Sequence, residues 1–192
     1  MKTIAVYCGS SMGSTEVYRV AAINLGKELV KRNLTLVYGG ASVGIMGIVA
    51  DTVLQEGGEV IGVIPALLEQ REISHHGLTE LIKVDSMHER KHKMIELADG
   101  FIALPGGPGT MEEFFEVFTW SQIGLHQKPC GLLNVNGYYD HLLSFFDHMQ
   151  QEQFLKPMYN QMNLVANDAA ELLNQFSSFT HPGLKTYEKI LG

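Results

Sequence analysis

Along this chain short, unbroken apolar runs alternate with longer stretches in which apolar residues recur every three or four positions. The short runs predict strands at Thr3–Cys8, Leu34–Tyr38, Glu59–Ile64, Leu81–Val84, Phe101–Leu104 and Cys130–Asn134, with a further short one at Leu164–Val165; Pro65 stops the third. The longer stretches predict helices. The first runs from a cap at Ser14 or Thr15 to about Arg32, and the second from the glycine-rich turn at 39–47 to Gly57-Gly58. Others cover Ser86–Ala98, 110–124, Tyr138–Gln151 and Ala169–Phe176, while 66–79 reads as irregular. Strands that are apolar throughout, rather than alternating, are buried on both faces. Their alternation with amphipathic helices predicts an α/β fold, a doubly wound parallel sheet with helices on both faces and right-handed crossovers. No repeat, linker or low-complexity tract interrupts the pattern, so residues 1–192 are expected to form one domain.

In such a sheet, ligands bind beyond the carboxyl ends of the strands. Three turns of small residues share that edge: Gly9-Ser10-Ser11, Gly39-Gly40 with Gly44, and Pro105-Gly106-Gly107-Pro108-Gly109-Thr110. The last lies between a strand and a helix. Its glycines let backbone amides approach a ligand, and the helix start adds unpaired N–H groups and the positive end of the dipole. That combination is a phosphate site. It is neither the P-loop, since no lysine follows the last glycine, nor G-x-G-x-x-G. Pro108 brings no N–H, so an anion must use the neighbouring amides.

The helix 86–98 carries a second signal. Ser86 and Glu89 fit a capping box. At about 100° per residue, Met87, Met94, Ile95, Leu97 and Ala98 form one arc, and Arg90 and Lys91 fall inside it. Two cations on an apolar face are costly unless an anion meets them; the plain alternative is stems packed on the core with heads in water. The same helix contains His88-Glu89-Arg90-Lys91-His92, a match to the zinc pattern H-E-x-x-H. Both histidines fall on the polar face, two cations stand between them, and the pattern would need a third ligand, so no metal site is expected here.

Glu113 is the third signal. On the 110–124 helix it shares a stripe with Thr110, Val117 and Trp120, one turn beyond the glycine turn, whereas Glu112 points about a quarter turn away.

Composition narrows the function classes. A net charge of −7 argues against nucleic-acid binding by bulk electrostatics, and no run approaches the length of a membrane span. The N-terminus enters a strand almost at once, leaving no room for a signal peptide, and Cys8 and Cys130 sit in apolar runs as free thiols. A cytoplasmic location is expected.

Met87-His88-Glu89-Arg90-Lys91, followed by Pro105-Gly106-Gly107-Pro108-Gly109-Thr110-Met111-Glu112-Glu113, resembles the M-x-x-R-K and P-G-G-x-G-T-x-x-E pair of the Lonely Guy (LOG) proteins. The resemblance extends from Cys8-Gly9-Ser10-Ser11 to Gly131-Leu132-Leu133-Asn134-Val135. It implies a Rossmann-like homodimer that cleaves the N-glycosidic bond of purine nucleoside 5′-monophosphates, of cytokinin type or AMP, without a cofactor. It further implies Arg90 and Glu113 as catalytic residues. Substrate contacts are implied at Lys91, at Gly107, Pro108, Gly109, Thr110, Met111 and Glu112 of the turn, at Thr119, and at Glu72 in the irregular stretch; Gly106 is added as part of the same glycine-rich turn. Ser10 and Gly40 join them as members of the other two turns on the same strand edge.

Chemistry and resemblance agree. Glycosidic cleavage passes through an oxocarbenium-like state, which a carboxylate stabilises while orienting or deprotonating water. Glu113 fits that role. Arg90, always protonated, is suited to hold the phosphate or the departing base rather than to act as an acid. Two other classes stay open: a nucleotide carrier or sensor without catalysis, and a pyridoxal-phosphate decarboxylase, for which no Schiff-base lysine stands out. Phe145, Phe146 and Met149 give the 138–151 helix a broad apolar surface compatible with a dimer.

Overall fold

The computed structural model describes residues 1–69 and 74–183. Its strands are β1 (Thr3–Tyr7), β2 (Thr35–Tyr38), β3 (Val60–Pro65), β4 (Glu80–Val84), β5 (Gly100–Ala103), β6 (Cys130–Leu133) and β7 (Asn163–Ala166). They form one sheet in the order β4-β3-β2-β1-β5-β6-β7, and every pairing is parallel. The central strands β1, β5 and β6 are almost wholly buried, as their unbroken apolar runs require. Edge strand β4 has no fully buried residue and carries Glu80 and Lys83 at its exposed positions.

The helices are α1 (Glu16–Lys31), α2 (Gly44–Gln55), α3 (Ala66–Glu69), α4 (Met87–Leu97), α5 (Pro108–Ile123), α6 (Asp140–Gln151), α7 (Pro157–Asn160) and α8 (Ala169–Ser178). One face of the sheet packs against α1, α2 and α8 through Leu25, Leu29, Val49, Leu172 and Phe176. The other packs against α4, α5 and α6 through Met94, Phe114, Val117, Phe118 and Phe146. The chain after β1 goes to β2 on one side, whereas β5 and β6 lie on the other. The crevice beyond Tyr7 and Ala103 is therefore where the direction of winding reverses.

Several local differences from the sequence reading have physical causes. Helix α5 begins at Pro108 rather than 110, because a proline fits the first helical position, where its N–H is not needed. Helix α2 begins at Gly44 with φ +58; a Cβ there would meet the Ser10 carbonyl carbon at 2.2 Å, so this turn packs tightly against the loop after β1. Thr15 occupies the cap position of α1 but makes no side-chain hydrogen bond. Ser86 does cap α4, accepting from the Glu89 amide at 3.1 Å, but Glu89 reaches the Asp85 amide at 2.8 Å rather than that of Ser86 itself. The stretch 66–79 holds more order than expected: α3, an isolated bridge between Ala41 and Ser74, and a bond from the Val60 amide to Thr79 Oγ1.

Candidate active site

Beyond the carboxyl ends of β1, β2 and β5 lies a cavity of about 290 Å³. Tyr7, Cys8, Gly9 and Ser10 come from β1 and its loop, Gly39 from the end of β2, and Gly107, Pro108, Gly109, Thr110, Glu112 and Glu113 from the start of α5. Arg90, Met87 and Met94 project from α4, and Met46 and Leu68 complete the wall.

The anion-binding end is made by backbone. Gly107 is the N-cap of α5 and has no side chain with which to cap it. The amides of Gly109 and Thr110 in the first turn are thus left for a ligand, at the positive end of a 16-residue helix. Side chains at Gly107 or Gly109 would meet nothing within 4 Å, whereas a Cβ at Gly106 would strike Thr110 Oγ1 at 2.2 Å and the Gly9 amide at 2.8 Å. Gly106 is needed for close packing, and Gly107 and Gly109 leave the approach open.

Arg90 and Lys91 are both buried on the apolar side of α4, as their place in the arc predicts. Their partners differ. Lys91 Nζ is bound by the carboxylates of Glu112 and, at 3.2 Å, Glu116. Burial alone would lower the Lys91 pKa, but these two hydrogen bonds outweigh it and raise it. Arg90 forms no ion pair among the described residues; its Nε has no hydrogen-bond partner, and Nη1 lies 3.9 Å from the Met87 sulfur. A buried ion without a partner costs on the order of several kcal/mol. Arg90 is thus the one cation of this pair left for an anionic ligand.

Glu113 is half-buried beside Thr110 on the cavity wall. Burial pushes its pKa up to about 7, against the pull of the Arg90 charge; Glu112 adds a smaller upward push. A carboxyl group titrating near neutrality in a cleft is suited to proton chemistry. Tyr7, also on the wall, is raised well above its ordinary range by burial, with Glu113 adding to the effect, and stays neutral.

The structure thus brings together Ser10, Arg90, Gly107, Pro108, Gly109, Thr110, Glu112 and Glu113 at one cavity. Other residues singled out from the sequence lie elsewhere. Gly40 (φ +80) packs against Ile64 and Leu81, and its carbonyl accepts from the His75 amide. Gly106 lines an adjoining cavity, Met111 packs into the core beneath α5, and Lys91 lies behind Glu112. Thr119 is exposed on α5 and does not line the cavity. Glu72 lies outside the described residues. His88 and His92 are exposed on the outer side of α4, where His92 meets Glu96 at 3.1 Å. Among the described residues no three metal-ligating side chains gather. Sequence reasoning missed Met46 and Leu68 as wall residues, although Met87 and Met94 share the arc of Arg90.

Comparison with known proteins gives the relationship. The family model described as "Possible lysine decarboxylase" matches residues 46–176. A cytokinin riboside 5′-monophosphate phosphoribohydrolase of Arabidopsis thaliana is 51% identical over 178 residues, 93% of this chain and 82% of that protein. A probable enzyme of the same name from Oryza sativa subsp. japonica is 52% identical over 177 residues, 92% of this chain and 79% of that protein. Among solved structures, the molybdenum cofactor binding protein of Rippkaea orientalis superposes with a TM-score of 0.69 at 23% identity, over 92% of this chain and 96% of that one, a likeness of fold alone. With sequence identity near one half across almost the whole length, and with both paired motifs meeting at one cavity, this chain belongs to the Lonely Guy (LOG) family, the family whose model carries the decarboxylase description.

Proposed function

We propose that this protein hydrolyses the N-glycosidic bond of purine nucleoside 5′-monophosphates, releasing the free base and ribose 5-phosphate. One observation carries the reading: the uncapped first turn of α5, Arg90 without an ion pair among the described residues, and the near-neutral Glu113 face the same cavity. The relatives' names supply the reaction, and these groups supply its chemical needs.

The 5′-phosphate sits at the start of α5 and takes hydrogen bonds from the Gly109 and Thr110 amides. That anchors C1′ near Glu113. The ionised carboxylate stabilises the oxocarbenium-like state and accepts a proton from the attacking water. The water oxygen bonds to C1′, and the C1′–N bond breaks with its electron pair going to the base. The water proton ends on the departing base. Arg90, whose Nη1 lies 3.9 Å from the Met87 sulfur, stabilises the negative charge that develops there. Lys91 orients Glu112 and Glu116 and so sets the field around Glu113. Among the described residues no lysine lines this wall, so nothing in them supports a pyridoxal-phosphate reading.

The reading extends to assembly and location. A homodimer is supported by apolar side chains left at the surface: Phe146 of α6 is buried, but Phe145 is 52% and Phe154 88% exposed. A reducing cytoplasm fits two free, buried cysteines, Cys8 and Cys130. Incubation with AMP and with a prenylated adenine nucleotide, followed by chromatography for free base and ribose 5-phosphate, tests the reaction. Binding of either nucleotide without release of base would make the protein a carrier or sensor instead.

A further inference from the structure

The peptide group between Gly106 and Gly107 separates two cavities. On one side is the cavity lined by Arg90 and Glu113. On the other is a cavity of about 190 Å³ whose wall includes Gly106, Tyr18 and Tyr138; Gly107 borders both. Tyr138 Oη donates a 2.7 Å hydrogen bond to the Gly106 carbonyl. Its ring is set edge-on to Tyr18, with centroids 5.8 Å apart, and to Tyr139 at 5.0 Å. Two adjacent glycines impose little preference on how the peptide between them is turned. In a trans peptide the C=O and N–H point in opposite directions. A carbonyl drawn to Tyr138 on the side of the smaller cavity therefore turns the Gly107 N–H toward the larger one.

We propose that Tyr138 is a positioning residue for phosphate recognition: its hydroxyl holds the Gly106 carbonyl back, so that the Gly107 amide joins those of Gly109 and Thr110 in facing the substrate phosphate. The inference rests on the phosphoribohydrolase reading above. With the peptide flipped, a carbonyl oxygen would face the phosphate, and an attractive contact would become a repulsive one. Tyr139 makes the matching bond to the Leu104 carbonyl, also 2.7 Å, but the next residue is Pro105, which has no N–H to orient. Of the two tyrosines, Tyr138 alone controls a donor.

The test is Tyr138→Phe, which keeps the ring and its edge contacts and removes the hydroxyl from a residue that is 44% exposed. Binding of ribose 5-phosphate is measured by calorimetry, and kcat/KM is measured for AMP and for adenosine. The expected result is a roughly three- to tenfold weaker Kd for ribose 5-phosphate, and a loss of kcat/KM on AMP larger by a similar factor than any loss on adenosine. The loss should lie in KM more than in kcat. Equal ribose 5-phosphate binding by the two proteins, or equal loss on AMP and adenosine, would overturn the inference while leaving the phosphoribohydrolase reading in place. A wild-type protein that neither binds ribose 5-phosphate nor releases base from AMP would overturn both.

Discussion

The guanidinium of Arg90 lies where a side chain on residue 39 would be: a Cβ on Gly39 would fall 2.0 Å from Arg90 Nη2. The absence of a side chain at the end of β2 thus sets the position of a charged group carried by α4. Gly39 has no positive φ to demand a glycine, so the close approach is what requires one.

Gly39→Ala should therefore displace the guanidinium without breaking the sheet. Misplacement of a reacting group by about 1 Å can cost on the order of 10² in rate, and a loss of roughly 10- to 100-fold in kcat is expected, with KM for AMP changed little. Arg90→Ala should lose at least as much, and Arg90→Lys should recover little, because an ammonium does not reproduce the planar fork. In an Arg90→Ala background, Gly39→Ala should have almost no further effect on kcat. A full additional loss there would mean that Gly39 acts through something other than Arg90.

How much of this was legible in the sequence differs by element. The parallel sheet with helices on both faces followed from apolar runs alternating with amphipathic stretches, because burial on both faces leaves little room for other residues; the strand order depends on long-range pairing and was not predicted. The paired cations showed themselves because Arg90 and Lys91 fall inside an apolar arc. Their division of labour did not. That Lys91 is neutralised by Glu112 and Glu116 depends on how α4 and α5 pack, which no local pattern encodes. For the same reason Glu112 read from helix geometry only as a residue pointing a quarter turn from Glu113, and as a substrate contact from the resemblance; its bond to Lys91 was signalled by neither. Gly40 was grouped with the ligand-binding turns because three small-residue turns share one strand edge; its positive φ serves packing against β3 and β4 instead. Tyr138 carried no signal at all, since its contact with Gly106 spans 32 positions.

The 5′-phosphate should be required. Hydrogen bonds to a charged group are each worth about 1.5–3 kcal/mol, and two amides at the start of α5 face this one. AMP should react at least a hundredfold more efficiently than adenosine, measured as kcat/KM for release of adenine. Equal values would remove the phosphate role from the turn 105–110.

The pH dependence follows from Glu113, raised by burial from 4.5 to about 7. If the ionised form is the active one, kcat/KM should rise with pH through about 7 and then level off. Arg90→Ala removes a charge that holds this value down and should move the midpoint of the residual activity upward. Stability runs the other way. Between about 4.5 and 7 the folded state binds more protons at this site than the unfolded chain, so its contribution is fully present below 4.5 and is lost as pH rises through 7. Urea titrations at pH 5 and pH 8 should show a smaller difference for Glu113→Gln than for the wild type.

A dimer or larger assembly is expected at micromolar concentration, with Phe145 at or near the contact. Light scattering should report at least twice the 21.3 kDa chain mass. Phe145→Glu should shift the protein toward the monomer, and a wild-type monomer at that concentration would contradict the assignment.

The central claim is that Glu113, rather than its neighbour Glu112, carries the chemistry, and the most direct test is the turnover of Glu113→Gln on AMP beside that of Glu112→Gln. The glutamine at 113 keeps shape and hydrogen-bonding reach but removes the charge. At 112 the change weakens one partner of Lys91 and leaves the other, Glu116, in place. The account predicts a fall in kcat of roughly 10²–10⁴ for Glu113→Gln with the fold retained, and a fall of less than about tenfold for Glu112→Gln. Near-native turnover by Glu113→Gln, or an equal loss in both variants, would contradict it.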